Sequence, residues 1–217
     1  MPDDDATSPS RVLILGGPGS GKSTLARVLG SELHIPHHEL DRVAYEPPDG
    51  RSDAPFWQWA RVPDEARRKR AATLAATDRW VADGLYAGWT DVLRDAADVI
   101  IWLDLPPRVT TWRVIKRAVV HRWRGGRDWD MRSVIRVARG ARSYSTRPAA
   151  TAKQLCERDG ANGAHTLDAF LRRATDRVVR CRSARQVRQA VGIASAPTGI
   201  LGRQAPAGTD SSSISWD

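Results

Sequence analysis

The sequence predicts an α/β fold in which a parallel sheet of about five strands lies between two layers of helices and carries an arginine-rich helical lid. Three observations predict it. Short apolar segments alternate with helical ones along most of the chain, the pattern of repeated βα crossovers. A glycine-rich loop separates the first predicted strand from the first predicted helix. The run Val99-Ile100-Ile101-Trp102-Leu103 is continuously apolar, as a strand buried on both faces requires. At 217 residues the chain is long enough for one sizeable core and short for two enzyme domains. The domain is expected at 11–191, with a disordered lead at 1–10 and a disordered tail of Gly, Ala, Pro and Ser at 192–217.

The first strand is Arg11 to Leu15, and a helix from about Lys22 to Leu33 follows, with Leu25, Val28 and Leu29 apolar. A short segment at Glu39-Leu40-Asp41 leads into a Pro- and Gly-rich loop and a charged helix from about Pro63 to Ala76. Trp80 to Ala82 is the next strand, ending in Asp83-Gly84, and a helix near Thr90 to Asp95 precedes Val99 to Leu103 and Asp104. Pro106 and Pro107 start a long helix to about Trp123, whose Val109, Trp112, Ile115 and Val119 are expected to form its core-facing stripe. Beyond Gly125-Gly126 a second basic helix begins at about Met131. Weaker helical signals lie at Pro148 to Arg158 and Leu167 to Ala174, before a last strand at Arg177 to Cys181 and a last helix at Ala184 to Val191.

The net charge is +9, and the segment from Thr111 to Ala150 accounts for all of it, with eleven basic residues against two acidic ones. The excess is therefore local, and a solvated helix face is its plain alternative. No apolar run approaches the ~18 residues of a membrane span, and Asp3, Asp4 and Asp5 oppose a signal peptide, so a cytoplasmic protein without membrane contact is expected. A monomer is expected as well. Cys156 and Cys181 are too few for a disulfide scaffold and are read as reduced core thiols.

Gly16-Gly17-Pro18-Gly19-Ser20-Gly21-Lys22-Ser23 matches G-x-x-x-x-G-K-[ST], the Walker A phosphate loop of P-loop NTPases, between a predicted strand and a predicted helix. Glycines let backbone N–H groups converge on one point, and the helix N-terminus adds partial positive charge. Residues 16 to 24, through Thr24, are thus the predicted ATP site. Lys22 reaches the β and γ phosphates and Ser23 ligates Mg²⁺.

Asp41, Asp83 and Asp104 each follow a predicted strand, where a parallel sheet gathers ligand groups. One would complete the Mg²⁺ shell and another would take or orient the proton of an acceptor hydroxyl; the commoner role of such an aspartate is a cap or turn. Arg113 and Arg117 are four apart and share a helix face opposite Trp112, Ile115 and Val119, as lid arginines that stabilise transferred charge would. The lid is expected at about 118–147, with Arg132, Arg136 and Arg139 repeating the spacing. Trp80, Trp102 and Trp112 are assigned to the core; Trp57 and Trp59 either pack or line an acceptor pocket. His37 and His38, being adjacent, are a poor metal pair and are read as loop residues.

The ordered motifs resemble the adenylate-kinase-like P-loop kinases, in particular the bacterial group often labelled topology modulation proteins. They are Leu-Gly-Gly-Pro-Gly-Ser-Gly-Lys-Ser-Thr-Leu-Ala (15–26), Ile-Pro-His-His-Glu-Leu-Asp (35–41), Asp-Arg-Trp-Val-Ala-Asp-Gly (78–84), Ile-Ile-Trp-Leu-Asp-Leu-Pro (100–106), Arg-Val-Ile-Lys-Arg (113–117) and Val-Val-Arg-Cys-Arg-Ser (178–183). The resemblance implies Asp83 near Mg²⁺, Arg113 near the ATP adenine, Arg117 near the phosphates, and Arg182 and Ser183 on the other side of the adenine. Adenylate kinases follow Asp-Gly with Phe-Pro-Arg, whereas this chain has Leu85-Tyr86-Ala87-Gly88, which argues against AMP as acceptor. Asp41 resembles the acid that holds the acceptor hydroxyl in P-loop kinases of small hydroxylated metabolites. The function expected is ATP-dependent phosphoryl transfer to a small nucleotide, nucleoside or hydroxylated metabolite. The alternative is an ATP-switched nucleic-acid-binding or regulatory protein that holds a phosphate backbone with the +9 segment.

Overall fold

The computed structural model describes residues 9–48, 54, 56–123 and 131–194. Most of the expected lead and tail, and the Gly125-Gly126 joint of the expected lid, lie outside these residues. Strand β1 (Arg11–Gly16) is central in a five-stranded, wholly parallel sheet, flanked by β5 (Trp80–Gly84) on one side and β6 (Val99–Leu103) on the other. β2 (His37–Glu39) extends the sheet beyond β5, and β7 (Val178–Cys181) extends it beyond β6, giving the order β2-β5-β1-β6-β7. The predicted α/β fold with helices on both faces is therefore present.

Alternation along the strands feeds two cores. Leu13 and Leu15, with Trp80, Ala82, Ile100 and Trp102, face one helix layer. That layer comprises α2 (Leu40–Ala44), α3 (Asp64–Ala75), α4 (Asp91–Ala96) and α8 (Ala164–Leu171), which contribute Leu40, Leu74, Leu93 and Leu167. Val12 and Ile14, with Val81, Val99, Ile101 and Leu103, face α1 (Lys22–Glu32) and α9 (Ala184–Ala194). Each such large side chain, fully buried, is worth about 1.5–3 kcal/mol, which explains why β1 after Arg11 and the whole of β6 are apolar. Trp80 and Trp102 belong to this core as expected. Cys181 is buried with it, and burial pushes its thiol up to about 11.

Four expectations require correction. A two-stranded antiparallel ribbon of β3 (Tyr45–Glu46) and β4 (Ala60–Arg61) follows α2, where only a loop was expected. His37 and His38 are strand residues because β2 pairs with β5, setting His37 opposite Val81 and Glu39 opposite Asp83. Residues 192 to 194 complete α9 rather than beginning the tail. The long helix α5 (Pro107–Trp123) is turned the other way round: Val109, Trp112, Ile115 and Val119 face solvent, and Thr110 and Val114 are buried. Small Thr110 allows α5 to lie against the glycine loop, a contact that outweighs the apolar stripe. The basic helix α6 (Met131–Ser143) packs against α5. Among the described residues no helix is long and apolar enough to cross a membrane.

A buried ionic knot ties α3 to the segment after α7 (Ala152–Glu157). Arg67 is fully buried; its guanidinium donates to Asp64 and, at 2.7 Å, to Asp159, and lies over the Trp89 ring. Asp159 also accepts from Tyr45 Oη at 2.8 Å and Arg61 Nε at 3.0 Å. Burial opposes the charge of Asp159, but the donors from Arg67, Tyr45 and Arg61 outweigh it and hold its carboxyl below 3.8. Replacing Asp159 with Ala leaves the buried guanidinium with Asp64 as its carboxylate partner and is expected to cost about 1.5–3 kcal/mol in urea unfolding. Because the folded-state pKa is depressed, the Asp159 contribution is present above pH ~4 and is lost as pH falls through the folded value. Asp159→Asn should therefore flatten the acid limb of the stability profile.

Candidate active site

The loop between β1 and α1 turns sharply, with Ser20 N–H donating to the Gly17 carbonyl at 3.2 Å. Gly19 adopts φ +76°, and a Cβ there would fall 2.3 Å from the Thr110 carbonyl oxygen, so only glycine fits beneath α5. Gly17 lies under Tyr144, just beyond α6, where a Cβ would meet the ring at 2.8 Å. Tyr144 is fixed in turn by Trp102 Nε1, which donates to its hydroxyl at 2.9 Å. The loop is thus clasped between β6, α5 and the end of α6. Ser20 Oγ is buried there without a hydrogen-bond partner.

At the start of α1, Ser23 Oγ donates to Asp83 Oδ2 at 2.7 Å. Asp83 ends β5 beside β1, and the parallel register that pairs Ile14 with Asp83 brings it to the loop. Its other oxygen, Oδ1, lies 2.7 Å from His37 Nε2. The sequence reading joined Ser23 to Asp83 and missed His37, whose only signal was its position two residues before the end of a strand too short to recognise. Arg113 lies on the inward face of α5 and donates from Nη1 to the Ser20 carbonyl at 3.2 Å. With Ser20, Gly21, Leu105, Ala184 and Val187 it lines a small recess at the head of α9, next to Arg182 and Ser183. Arg117, one turn on, is exposed. Arg136 and Arg139 are exposed on α6, while the side chain of Arg132 lies outside the described set.

The other two strand-end aspartates take different partners. Asp104 accepts from Arg180 Nε and Nη2 at 3.0 and 2.8 Å and lies 3.6 Å from Arg182 Nε. Arg180 also covers the Trp102 ring at 3.9 Å, so Asp104 serves to lock β7 to β6. Asp41 lies in the first turn of α2, not at a strand end, and Oδ1 accepts from Tyr86 Oη at 2.6 Å. Burial, with the adjacent Asp41 charge, pushes the Tyr86 hydroxyl far above its ordinary range and keeps it a donor. Tyr86 belongs to no motif in the sequence, so nothing there marks it as the partner of Asp41. Trp59 packs against Phe56 and Arg42, in agreement with a packing role.

The chemistry of the site fits a nucleoside triphosphate with a hard divalent cation. The glycine cradle and the orphaned Ser20 hydroxyl suit phosphate oxygens, and Ser23 with Asp83 offers the oxygen donors that Mg²⁺ prefers. Among the described residues there is no cluster of three or more His, Cys, Asp or Glu able to hold a metal alone.

No family profile matches the chain. It is 31% identical over 104 residues to the uncharacterized protein YqaC of Bacillus subtilis (strain 168), covering 48% of this chain and 54% of that protein. It is 34% identical over 113 residues to a cytidylate kinase of Halobacterium salinarum, covering 49% and 57%. The chain thus spans little more than half the length of these relatives. Among solved structures, a gluconokinase from Sinorhizobium meliloti superposes over 89% of this chain and 93% of its own, at 18% identity and TM-score 0.46. A shikimate kinase from Bacteroides thetaiotaomicron covers 85% and 96%, at 13% identity and TM-score 0.39.

Gly19→Ala should lose about 1–2 kcal/mol from the left-handed backbone alone, with a further loss from the Thr110 clash. Urea unfolding against a Gly192→Ala control measures it, since a Cβ at Gly192 meets nothing within 4 Å.

Proposed function

We propose that this chain is a P-loop phosphotransferase that uses ATP and Mg²⁺ to phosphorylate a small acceptor bearing a hydroxyl. The observation that carries the proposal is the meeting of the glycine cradle with Asp83 through Ser23 at 2.7 Å. Local homology to a cytidylate kinase supports kinase chemistry in general, and the ordered motifs argue for the adenylate-kinase-like bacterial group often labelled topology modulation proteins. The functional unit is 11–194, with the segment at about 118–147 as its lid.

Residues 16 to 24 cradle the triphosphate, with Lys22 as a fixed point charge on its outer phosphates. The recess bounded by Arg113 and the head of α9 suits the adenine, between Arg113 and the Arg182-Ser183 turn. Ser23 and Asp83 would hold Mg²⁺, which would supply neutralisation of phosphate charge. Asp41 receives the proton of the acceptor hydroxyl as the acceptor oxygen bonds to the γ-phosphorus. The bond to the β–γ bridging oxygen breaks in the same transfer, and ADP carries away that electron pair. Tyr86 occupies one oxygen of Asp41, which leaves Oδ2 to address the acceptor. Ala87 stands at the step where adenylate kinases carry the arginine after Asp-Gly, which favours a hydroxylated acceptor over a nucleoside monophosphate. Arg117, one turn beyond Arg113, meets the transferred charge when the lid closes.

Calorimetry should show Mg-ATP binding that Lys22→Ala weakens about 10- to 100-fold, the worth of a charge-assisted phosphate contact. Arg117→Ala should lower turnover at least about tenfold while changing ATP affinity far less, since its interaction is made in the transition state. The acceptor is found by following ADP release across nucleosides, nucleotides and hydroxylated metabolites. If none raises the rate above basal hydrolysis, phosphotransfer is wrong; tight DNA or RNA binding strengthened by Mg-ATP would then favour the nucleic-acid alternative.

A further inference from the structure

Asp83 has both carboxylate oxygens engaged from different elements, Oδ2 by Ser23 at the head of α1 and Oδ1 by His37 on β2. A carboxylate accepts and does not donate, so the shared protons lie on Ser23 Oγ and His37 Nε2. The terminal torsion of an aspartate is otherwise broad, and two donors on opposite oxygens fix it. The Ser23 proton is then committed to Oδ2, which turns the hydroxyl lone pairs away from Asp83. His37 is itself held in place: α1 approaches it at Gly30, where a Cβ would come within 3.4 Å of His37 Cβ. It stands on a sheet-edge strand, yet it spends its ring on a carboxylate whose side chain is only 2% exposed.

We propose that His37 is a positioning residue for the cation that accompanies the nucleoside triphosphate. By fixing the rotation of Asp83 it fixes the direction of the Ser23 lone pairs, and the pair presents its oxygens in one orientation. This rests on the ATP and Mg²⁺ reading above. A histidine required only for packing would affect the nucleotide with and without metal alike, whereas a positioning residue acts on the metal-dependent part.

The test is calorimetry of ATP binding in Mg²⁺ and in EDTA for the full chain, His37→Ala and His37→Gln, with thermal melts of each. Wild type is expected to bind ATP more tightly with Mg²⁺ than without. His37→Ala should lose about tenfold of that gain, the usual cost of removing a partner of a metal ligand, with metal-free affinity unchanged. Gln, whose amide donor can reach Oδ1, should restore it. Should the alanine variant not fold, His37→Asn, whose amide stops short of Oδ1, takes its place. A full metal-dependent gain without the histidine, an equal loss in Mg²⁺ and EDTA, or no recovery with Gln would overturn the proposal while leaving the ATP site intact. No metal-dependent gain in wild type would instead overturn both.

Discussion

A carboxylate at the carboxyl end of a buried strand needs hydrogen bonds in place of the water it has lost, and Asp83 obtains them from Ser23 and His37. Much of the molecule can be understood as what holds those three groups together. β5 must lie between β2 and β1, so the chain crosses over between them and the order of strands departs from the order in sequence. The glycine loop must deliver Ser23 at the first turn of α1, and that turn is placed by β1, whose buried Val12 to Leu15 leave the strand no freedom to shift register.

The same loop explains the arrangement of α5. A helix with an apolar stripe ordinarily turns it to the core, yet α5 presents Thr110, Arg113 and Val114 inward and the stripe of Val109, Trp112, Ile115 and Val119 outward. The glycine loop is a surface of backbone rather than of side chains. What packs against it must be small and able to meet carbonyl groups, and Thr110 and the Arg113 guanidinium satisfy that where Trp112 would not. Tyr144, just past α6, closes the other side of the loop.

The small ribbon, α3 and the Asp159 turn are joined by ion pairs and hydrogen bonds in addition to the apolar contacts of α3. Arg67 is the reason this region is ordered around one carboxylate: a fully buried guanidinium restricts its neighbours to positions that supply acceptors.

By itself the sequence determined the alternation of strands and helices, the parallel sheet and the glycine loop. These depend on short-range chemistry: apolar runs of strand length, glycines where the backbone must turn, a lysine and a hydroxyl at a helix start. Tertiary structure alone decided which face of α5 is buried, that Asp104 locks β7 through Arg180 while Asp41 meets Tyr86, and that His37 belongs to the site. The reason is that periodicity reveals a helix's two faces without saying what lies opposite either one. Likewise, a three-residue edge strand such as β2 has too little pattern of its own to be recognised, and it exists because β5 is there to pair with it.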